Sequence, residues 1–320
     1  MKVLVTGGAG YIGSHTCKAL AAAGHEVTVF DNLSTGFRTL VRWGEFIHGD
    51  IRDVTALRGA LRRIRPDGVI HFASSIAVGE SVTNPGLYYE NNVHGSLCLM
   101  RALVAEGVRH MVASGTAAVY GLPQRVPIAE DCPLNPINPY GRTKLAMEWM
   151  LADMHAAHDL HWVTLRYFNA AGADPDGMTG ECHDPETHLI PNVLRAVDGR
   201  IPALRLFGDD YDTPDGTCIR DYIHVHDLAA AHVAALDYLM QGGQPRAMNL
   251  GTGEGTSVRA ILEAAQEVTG RPVPHSVEAR RPGDPARLVA DATLARRTLH
   301  WTPRFRLHDM LAHAWAWEQR

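Results

Sequence analysis

The sequence predicts an α/β fold, a doubly wound parallel sheet followed by a smaller α+β C-terminal domain, from three features: apolar runs alternating with amphipathic stretches, a glycine-rich first turn, and a change of rhythm after Asn169. The apolar runs fall at 2–6, 26–31, 45–49, 68–74, 109–114 and 161–169. Between them, 12–23, 54–64 and 92–106 carry apolar residues at three- and four-residue spacing, as helices crossing between parallel strands require. Residues 173–187 are rich in Asp, Gly, Pro and Glu and have no periodic apolar face, so the domain change is placed there. Beyond it the sequence predicts helices at 189–199 and 227–240, a Gly/Asp loop at 208–216, and strands near 247–250 and 274–277. At 320 residues two lobes are expected, 1–169 and 170–320, with segments near 220–250 returning to the first.

Composition narrows the function class. A formal charge of -5 supplies no field for a phosphate polymer or an anionic bilayer, so neither nucleic acid nor membrane is an expected partner. The five cysteines are widely spaced, without a Cys-x-x-Cys pair, which fits a reducing compartment. Met1 leads straight into an apolar run with no basic n-region, and no apolar run reaches the ~18 residues of a membrane helix, so a cytoplasmic location is expected. Of the 18 histidines, His224 and His226 lie two apart on an expected strand or loop with no third ligand in view, and no metal site is predicted.

A dinucleotide site is indicated first by Gly7, Gly10 and Gly13, set between the first strand and the first helix. Only glycine permits so tight a turn and lets the backbone approach a pyrophosphate at the helix N-terminus, the Rossmann-like arrangement. The spacing is G-x-x-G-x-x-G, the short-chain dehydrogenase version. The second strand ends in Asp31, near the ~20-residue separation expected for the acid that accepts hydrogen bonds from the adenosine ribose hydroxyls. A carboxylate there repels a 2′-phosphate, so NAD rather than NADP is predicted. Asp50 and Ile51, after the third strand, are placed to bracket the adenine, although an Asp after a strand is also a routine helix cap.

The chemistry is carried by Tyr140 and Lys144, four residues apart on one face of a helix that Pro139 opens. Lysine occurs elsewhere only at positions 2 and 18, so a lysine here is poor filler. A phenol is a weak base at neutral pH, but an adjacent ammonium and a bound nicotinamide cation would both favour phenolate. Tyr140 is then the expected base for a sugar hydroxyl as hydride leaves the same carbon. Thr116, in the loop after the fifth strand, could bond that hydroxyl or merely tidy its own loop.

Taken together these residues resemble the extended short-chain dehydrogenase/reductase family, and within it the UDP-glucose 4-epimerases. The likeness spans nearly the whole chain. It rests on Val5 to His15, Asp31-Asn32-Leu33, His71-Phe72-Ala73, Val78-Gly79-Glu80-Ser81, Tyr89-Glu90-Asn91-Asn92, Tyr140 to Lys144, Leu165 to Asn169, Arg220 to Val225, Asn249 to Gly253 and Arg280-Arg281-Pro282-Gly283-Asp284. The resemblance implies an isomerase with tightly bound NAD, in which hydride leaves carbon 4 of a UDP-hexose, the 4-keto sugar turns over, and hydride returns to its other face. By the same likeness Tyr140 is the base, Lys144 its activator and a cofactor-ribose ligand, and Thr116 the hydroxyl partner. Gly7, Gly10, Tyr11, Ile12, Gly13, Asp31, Asn32, Asp50, Ile51, Phe72, Ala73, Ser74, Asn91 and Phe168 are implied around NAD, together with Tyr140 and Lys144. Asn169, His188, Leu189, Arg205, Phe207, Arg220, Arg281, Asp284 and Leu288 are implied around the UDP-sugar, beside Thr116 and Tyr140. A homodimer is implied too, paired through helices near 92–106 and 140–158.

Three positions depart from the pattern: Ile76 where several members carry Lys, Thr116 where Ser is commoner, and Leu288 at the wall by the sugar. Leu288 leaves 4-epimerisation of UDP-GlcNAc/GalNAc or of a UDP-pentose open. A sugar-nucleotide dehydratase would need an Asp-Glu pair where Ala117 and Ala118 stand. A non-catalytic NAD-sensing protein is disfavoured by the intact Tyr140/Lys144 pair.

Overall fold

Val3, Leu4 and Val5 are fully buried, and so are Val69 and Ile70, because helices cover both faces of the sheet to which these strands belong. That double burial is why parallel strands read as unbroken apolar runs rather than as alternation. The computed structural model describes residues 1–281 and 283–320; Pro282, one of the residues carrying the resemblance, lies outside the described residues.

The first half runs β1 (Lys2–Thr6), α1 (Tyr11–Ala22), β2 (Glu26–Asp31), β3 (Glu45–His48), α2 (Val54–Ile64), β4 (Gly68–His71), α3 (Val78–Thr83), α4 (Pro85–Tyr88), α5 (Ser96–Ala105), β5 (His110–Ser114), α6 (Pro139–His158) and β6 (His161–Tyr167). The second half runs β7 (Asn169–Ala171), α7 (Leu189–Val197), β8 (Leu204–Phe207), β9 (Ile219–His224), α8 (Val225–Met240), β10 (Arg246–Leu250), β11 (Gly255–Ser257), α9 (Val258–Thr269), β12 (His275–Glu278), β13 (Arg287–Leu288), α10 (Thr293–Leu299) and α11 (Leu307–Glu318).

Among the described residues the main sheet has seven strands in the order β10-β6-β5-β4-β1-β2-β3, all parallel. The chain winds outward from β1 to β3, then returns to lay β4 on the other side of β1. Such a reversal opens a crevice at the carboxyl ends of the strands, where open α/β sheets bind their ligands. One face is covered by α1, α8 and α10 around Leu20, Leu228 and Leu299, and the other by α2, α5 and α6 around Leu61, Leu99 and Leu151. A separate core gathers Ile190, Val193, Ile261 and Leu311 from α7, α9 and α11. The chain crosses back after β9: α8 packs on the first-half face, and β10 pairs with β6 from Arg246 against Val163 to Leu250 against Tyr167.

Local chemistry fixes the helix that carries the site. Asn138 caps α6 by accepting from the Gly141 N–H, Pro139 stands in the first turn, and Asp159 ends the helix at φ 57. The stretch expected as one helix over 92–106 differs, because Tyr89–Gly95 is π-helical before α5 begins. The wider turn coincides with Asn92, whose fully buried side chain accepts from the Ser75 N–H at 2.8 Å and donates to the Ser75 carbonyl at 2.9 Å.

Candidate active site

At the switch between β1 and β4 the glycine turn is held against neighbouring backbone. A Cβ on Gly7 would stand 2.4 Å from the Ala73 nitrogen, and one on Gly13 would stand 2.2 Å from the Gly7 carbonyl oxygen. No side chain fits in either place, so the backbone amides stay open toward a ligand at the start of α1. Asp31 ends β2 beside this turn, its two oxygens accepting from the Ala9 and Leu33 N–H groups at 3.0 and 2.8 Å. Each oxygen keeps a lone pair for a ribose hydroxyl. Burial pushes its carboxyl up, and the two backbone donors pull it back.

The remaining residues implied around the cofactor lie along the same edge. Asp50 is held by Arg52 at 2.6 Å and by Asn32 at 2.9 Å, and Arg52 keeps its carboxyl well below the usual carboxylate range. Ile51 is buried in the core under α5, Phe72 lies against His232 with ring centroids 4.7 Å apart, and Asn91 donates to Ser75 at 3.2 Å. Tyr11 donates to the Gly172 carbonyl, tying α1 to the second half of the chain. These groups fit a dinucleotide: a cradle that excludes Cβ atoms, a ribose-facing acid, and a crevice above β1 and β4.

Tyr140 and Lys144 lie one turn apart on α6, and both are buried. The Lys144 ammonium donates to Ser74 Oγ at 2.8 Å and to the Ser114 carbonyl at 2.9 Å, bridging the ends of β4 and β5. Thr116 Oγ1 accepts from the Ala118 N–H at 3.1 Å, so its own proton is directed elsewhere. The electrostatics of the pair are set by burial. Burial pushes the Tyr140 phenol up, and only a hydrogen bond with Thr116 draws it back, so the chain by itself keeps the phenol protonated. Burial pushes Lys144 down to about 7, against the pull of Glu148. Spacing does place the two side chains on one helix face, but in this environment the lysine is itself short of charge. Ionising Tyr140 therefore calls for positive charge from outside the chain.

A stability prediction follows from Lys144. Its native value of about 7 lies below the ~10.4 of an unfolded lysine. Between those values the unfolded chain binds a proton that the native chain releases, so this group's contribution to stability rises with pH. Against Lys144→Met, the wild-type chain should gain about 1.4 kcal/mol per pH unit across that window, read by urea unfolding. A gain that shrinks as pH rises would contradict the assignment.

The residues implied around the sugar nucleotide come from several elements of the second half of the chain. Arg205 and Arg281 lie over the Phe207 ring at 5.1 and 4.1 Å, and Arg220 pairs with Asp284 at 2.5 Å. Leu288 packs against Ala117, Val119 and Tyr120 in the loop that carries Thr116, as does Phe168 of the set implied around the cofactor. Asn169 donates to the Asp221 carbonyl at 2.9 Å. His188 precedes Leu189 at the start of α7, and its Nδ1 is turned onto Glu181 and Glu186 at 2.7 and 3.1 Å. Burial works to lower His188, but the two carboxylates outweigh it and hold it at about 10.

Several supporting residues were not anticipated from the sequence. Asp221 is wholly buried and accepts from Thr252 N–H at 2.9 Å, Thr252 hydroxyl at 2.8 Å, Gly253 N–H at 3.0 Å and Ala290 N–H at 3.1 Å, locking the strand that presents Arg220. Gly251 is its one visible signal, since a Cβ there would stand 2.5 Å from the carboxylate. Glu148 and Arg166 form a buried forked pair beneath Lys144, and Arg166 also donates to the Tyr120 hydroxyl at 2.8 Å.

The crevice, the buried acid that ends β2 and the Tyr-x-x-x-Lys helix define a dinucleotide-dependent enzyme of the short-chain dehydrogenase type. A profile of the NAD dependent epimerase/dehydratase family matches residues 3–251, and the chain belongs to that family. The chain is 52% identical over 318 residues to the UDP-glucose 4-epimerase of Rhizobium leguminosarum bv. trifolii, covering 99% of this chain and 97% of that one. Among solved structures it resembles the UDP-glucose 4-epimerase of Brucella ovis in complex with NAD, at 52% identity and TM-score 0.97 over 98% and 97% of the two chains. It also resembles a UDP-glucose 4-epimerase of Stenotrophomonas maltophila with bound NAD and formylated UDP-arabinopyranose, at 42% identity and TM-score 0.97 over 100% and 98%.

Proposed function

We propose that the chain interconverts UDP-galactose and UDP-glucose with NAD as a resident cofactor, using Tyr140, Lys144 and Thr116 as its catalytic group. The observation that carries this reading is the buried phenol of Tyr140 beside Thr116 in the loop after β5, one helical turn from a lysine anchored to Ser74 and the Ser114 carbonyl. The near-identical folds of epimerases solved with NAD support the cofactor.

Gly7, Gly10, Tyr11, Ile12 and Gly13 hold the pyrophosphate side of the cofactor, and Asp31 its adenosine ribose. Bound NAD supplies reversible acceptance of hydride from carbon 4 of the sugar. Thr116 donates its hydroxyl proton toward the reacting oxygen and orients it. Tyr140, once ionised, takes the proton of that hydroxyl and later gives it back to the same oxygen as the product hydroxyl forms. Lys144 holds the loop ends of β4 and β5 in register. Arg220 and Arg281 offer forked donors for the nucleotide's pyrophosphate, and Phe207 an aromatic face. Residues 1–169, joined by α8 and β10, form the NAD-binding lobe, and the rest of 170–320 the UDP-sugar lobe.

Purified protein given UDP-galactose and no added NAD should form UDP-glucose, with NAD released when the protein is denatured. A chain that releases NAD but turns over neither UDP-hexose would be a sensor and not an enzyme. Leu288, packed beside Phe168 at the Thr116 loop, favours testing N-acetylated and pentose substrates in the same assay.

Two copies pair through α5 and α6 in this reading. Trp149 supports it, because its indole on α6 is 62% exposed, an unusual position for a tryptophan with nothing over it. Light scattering at micromolar concentration should give twice the 34.9 kDa chain mass, and Trp149→Glu should halve it. A wild-type monomer would end the proposal. No helix among the described residues is long and apolar enough to cross a membrane, and the five cysteines are free, which supports a cytoplasmic setting.

A further inference from the structure

Residues 181–188 contain two Glu-x-His pairs five apart, Glu181 with His183 and Glu186 with His188. The fold closes them on each other, so that one ligand atom from each of the four lies within 4.8 Å of the rest. His183 Nδ1 stands 3.1 Å from Glu181 and 3.8 Å from Glu186, while His188 Nδ1 stands 2.7 and 3.1 Å from the same two carboxylates. Ligands at about 2.0–2.1 Å around a tetrahedral ion are spaced about 3.3 Å apart, so these four separations need shifts of at most about 0.6 Å.

A second observation points into the same space. The Glu186 side chain is 1% exposed, and its two oxygens are treated differently. Oε1 accepts from the Thr187 and His188 N–H groups, both at 2.8 Å, but Oε2 is buried with no hydrogen-bond partner. A buried carboxylate oxygen without a donor is costly and normally faces an ion, a water or a proton. The loop around it is held from outside: Trp317 donates to the Glu181 carbonyl at 2.9 Å, and Asn192 donates to the carbonyls of Glu186 and His188 at 3.3 and 2.9 Å. Ligands fixed in this way bind without a large ordering cost.

We infer that Glu181, His183, Glu186 and His188 form a binding site for one divalent transition-metal ion of the zinc class. Two imidazoles and two carboxylates suit Zn(II) and its spectroscopic substitute Co(II) rather than Mg(II), which prefers an all-oxygen shell. The incoming cation takes the places of the two Nδ1 protons, which leave to solvent as it binds. The Tyr11 ring lies 6.3 Å from that of His183, so the ion sits behind the start of α1 and ties the 181–188 loop to the mouth of α7.

Cobalt(II) added to chelator-treated protein tests this. One equivalent should bind with the intense visible bands of four-coordinate cobalt, and binding should weaken at least about 100-fold in His183→Gln and in Glu186→Gln. His155→Gln should bind as wild type does, because it alters the other histidine–carboxylate group, His155, Asp159 and His161. Should either site variant fold poorly, the wild-type chain answers alone: cobalt should shift the nitrogen-15 imidazole resonances of His183 and His188. Absence of a saturable equivalent, retained binding in the site variants, or shifts confined to His155 and His161 would each overturn the assignment.

Discussion

Tyr140→Phe should leave a folded chain that still retains NAD but whose turnover falls about 10²- to 10⁴-fold, the range expected when a positioned proton-transfer group is removed. The ring remains to fill its buried place, and Lys144 keeps its bonds to Ser74 and the Ser114 carbonyl, so neither fold nor crevice should change. The loss should fall on kcat and not on KM, because the hydroxyl is needed only when the proton moves. Near-normal rates would remove Tyr140 from the chemistry. The protonated resting state of this phenol adds a second expectation: activity should rise with pH as Tyr140 ionises, and the rise should disappear in the variant.

The largest loss of stability should come from Arg166→Met. Arg166 and Glu148 are 5% and 6% exposed, and removing the guanidinium strands a carboxylate in the core beneath the catalytic helix. Breaking a buried pair from one side costs about 3–5 kcal/mol, whereas replacing both partners with apolar groups is often close to neutral. Glu148→Leu combined with Arg166→Met should therefore be more stable than Arg166→Met alone. Urea unfolding of the wild type, the two single variants and the double variant measures this, and additive losses would show that the pair is not coupled.

The two effects also mark what the sequence carries and what it leaves out. Tyr140 and Lys144 are legible because their relation is local: four residues, one helix, one face. The glycine turn and Asp31 are legible for the same reason, since strand, turn and helix adjoin in the chain. The sheet strands show as apolar runs because both their faces are buried, but their order does not, since β10 reaches β6 across about eighty residues of intervening chain. Asp221 meets Thr252 and Ala290 across such long stretches of chain, and Arg166 meets Glu148 from the element that follows α6; no spacing rule finds either. The Glu-x-His pairs of 181–188 were in plain view, yet an irregular loop gives no periodicity from which to expect convergence. The expected elements also omit α9, although Ser257 caps it and Gly270 ends it with ordinary signals. The downward shift at Lys144 is not legible either, because the sign of a pKa shift depends on burial, and spacing says nothing about burial.

The chemistry proposed for this crevice moves the carbon 4 hydrogen with its electron pair and keeps it out of water, while Tyr140 handles only the hydroxyl proton. UDP-galactose bearing deuterium at carbon 4, converted in ordinary water, tests that separation most directly. The product UDP-glucose should keep its deuterium at carbon 4. Replacement of the label by solvent hydrogen would mean that the carbon gives up a proton, and would contradict the account.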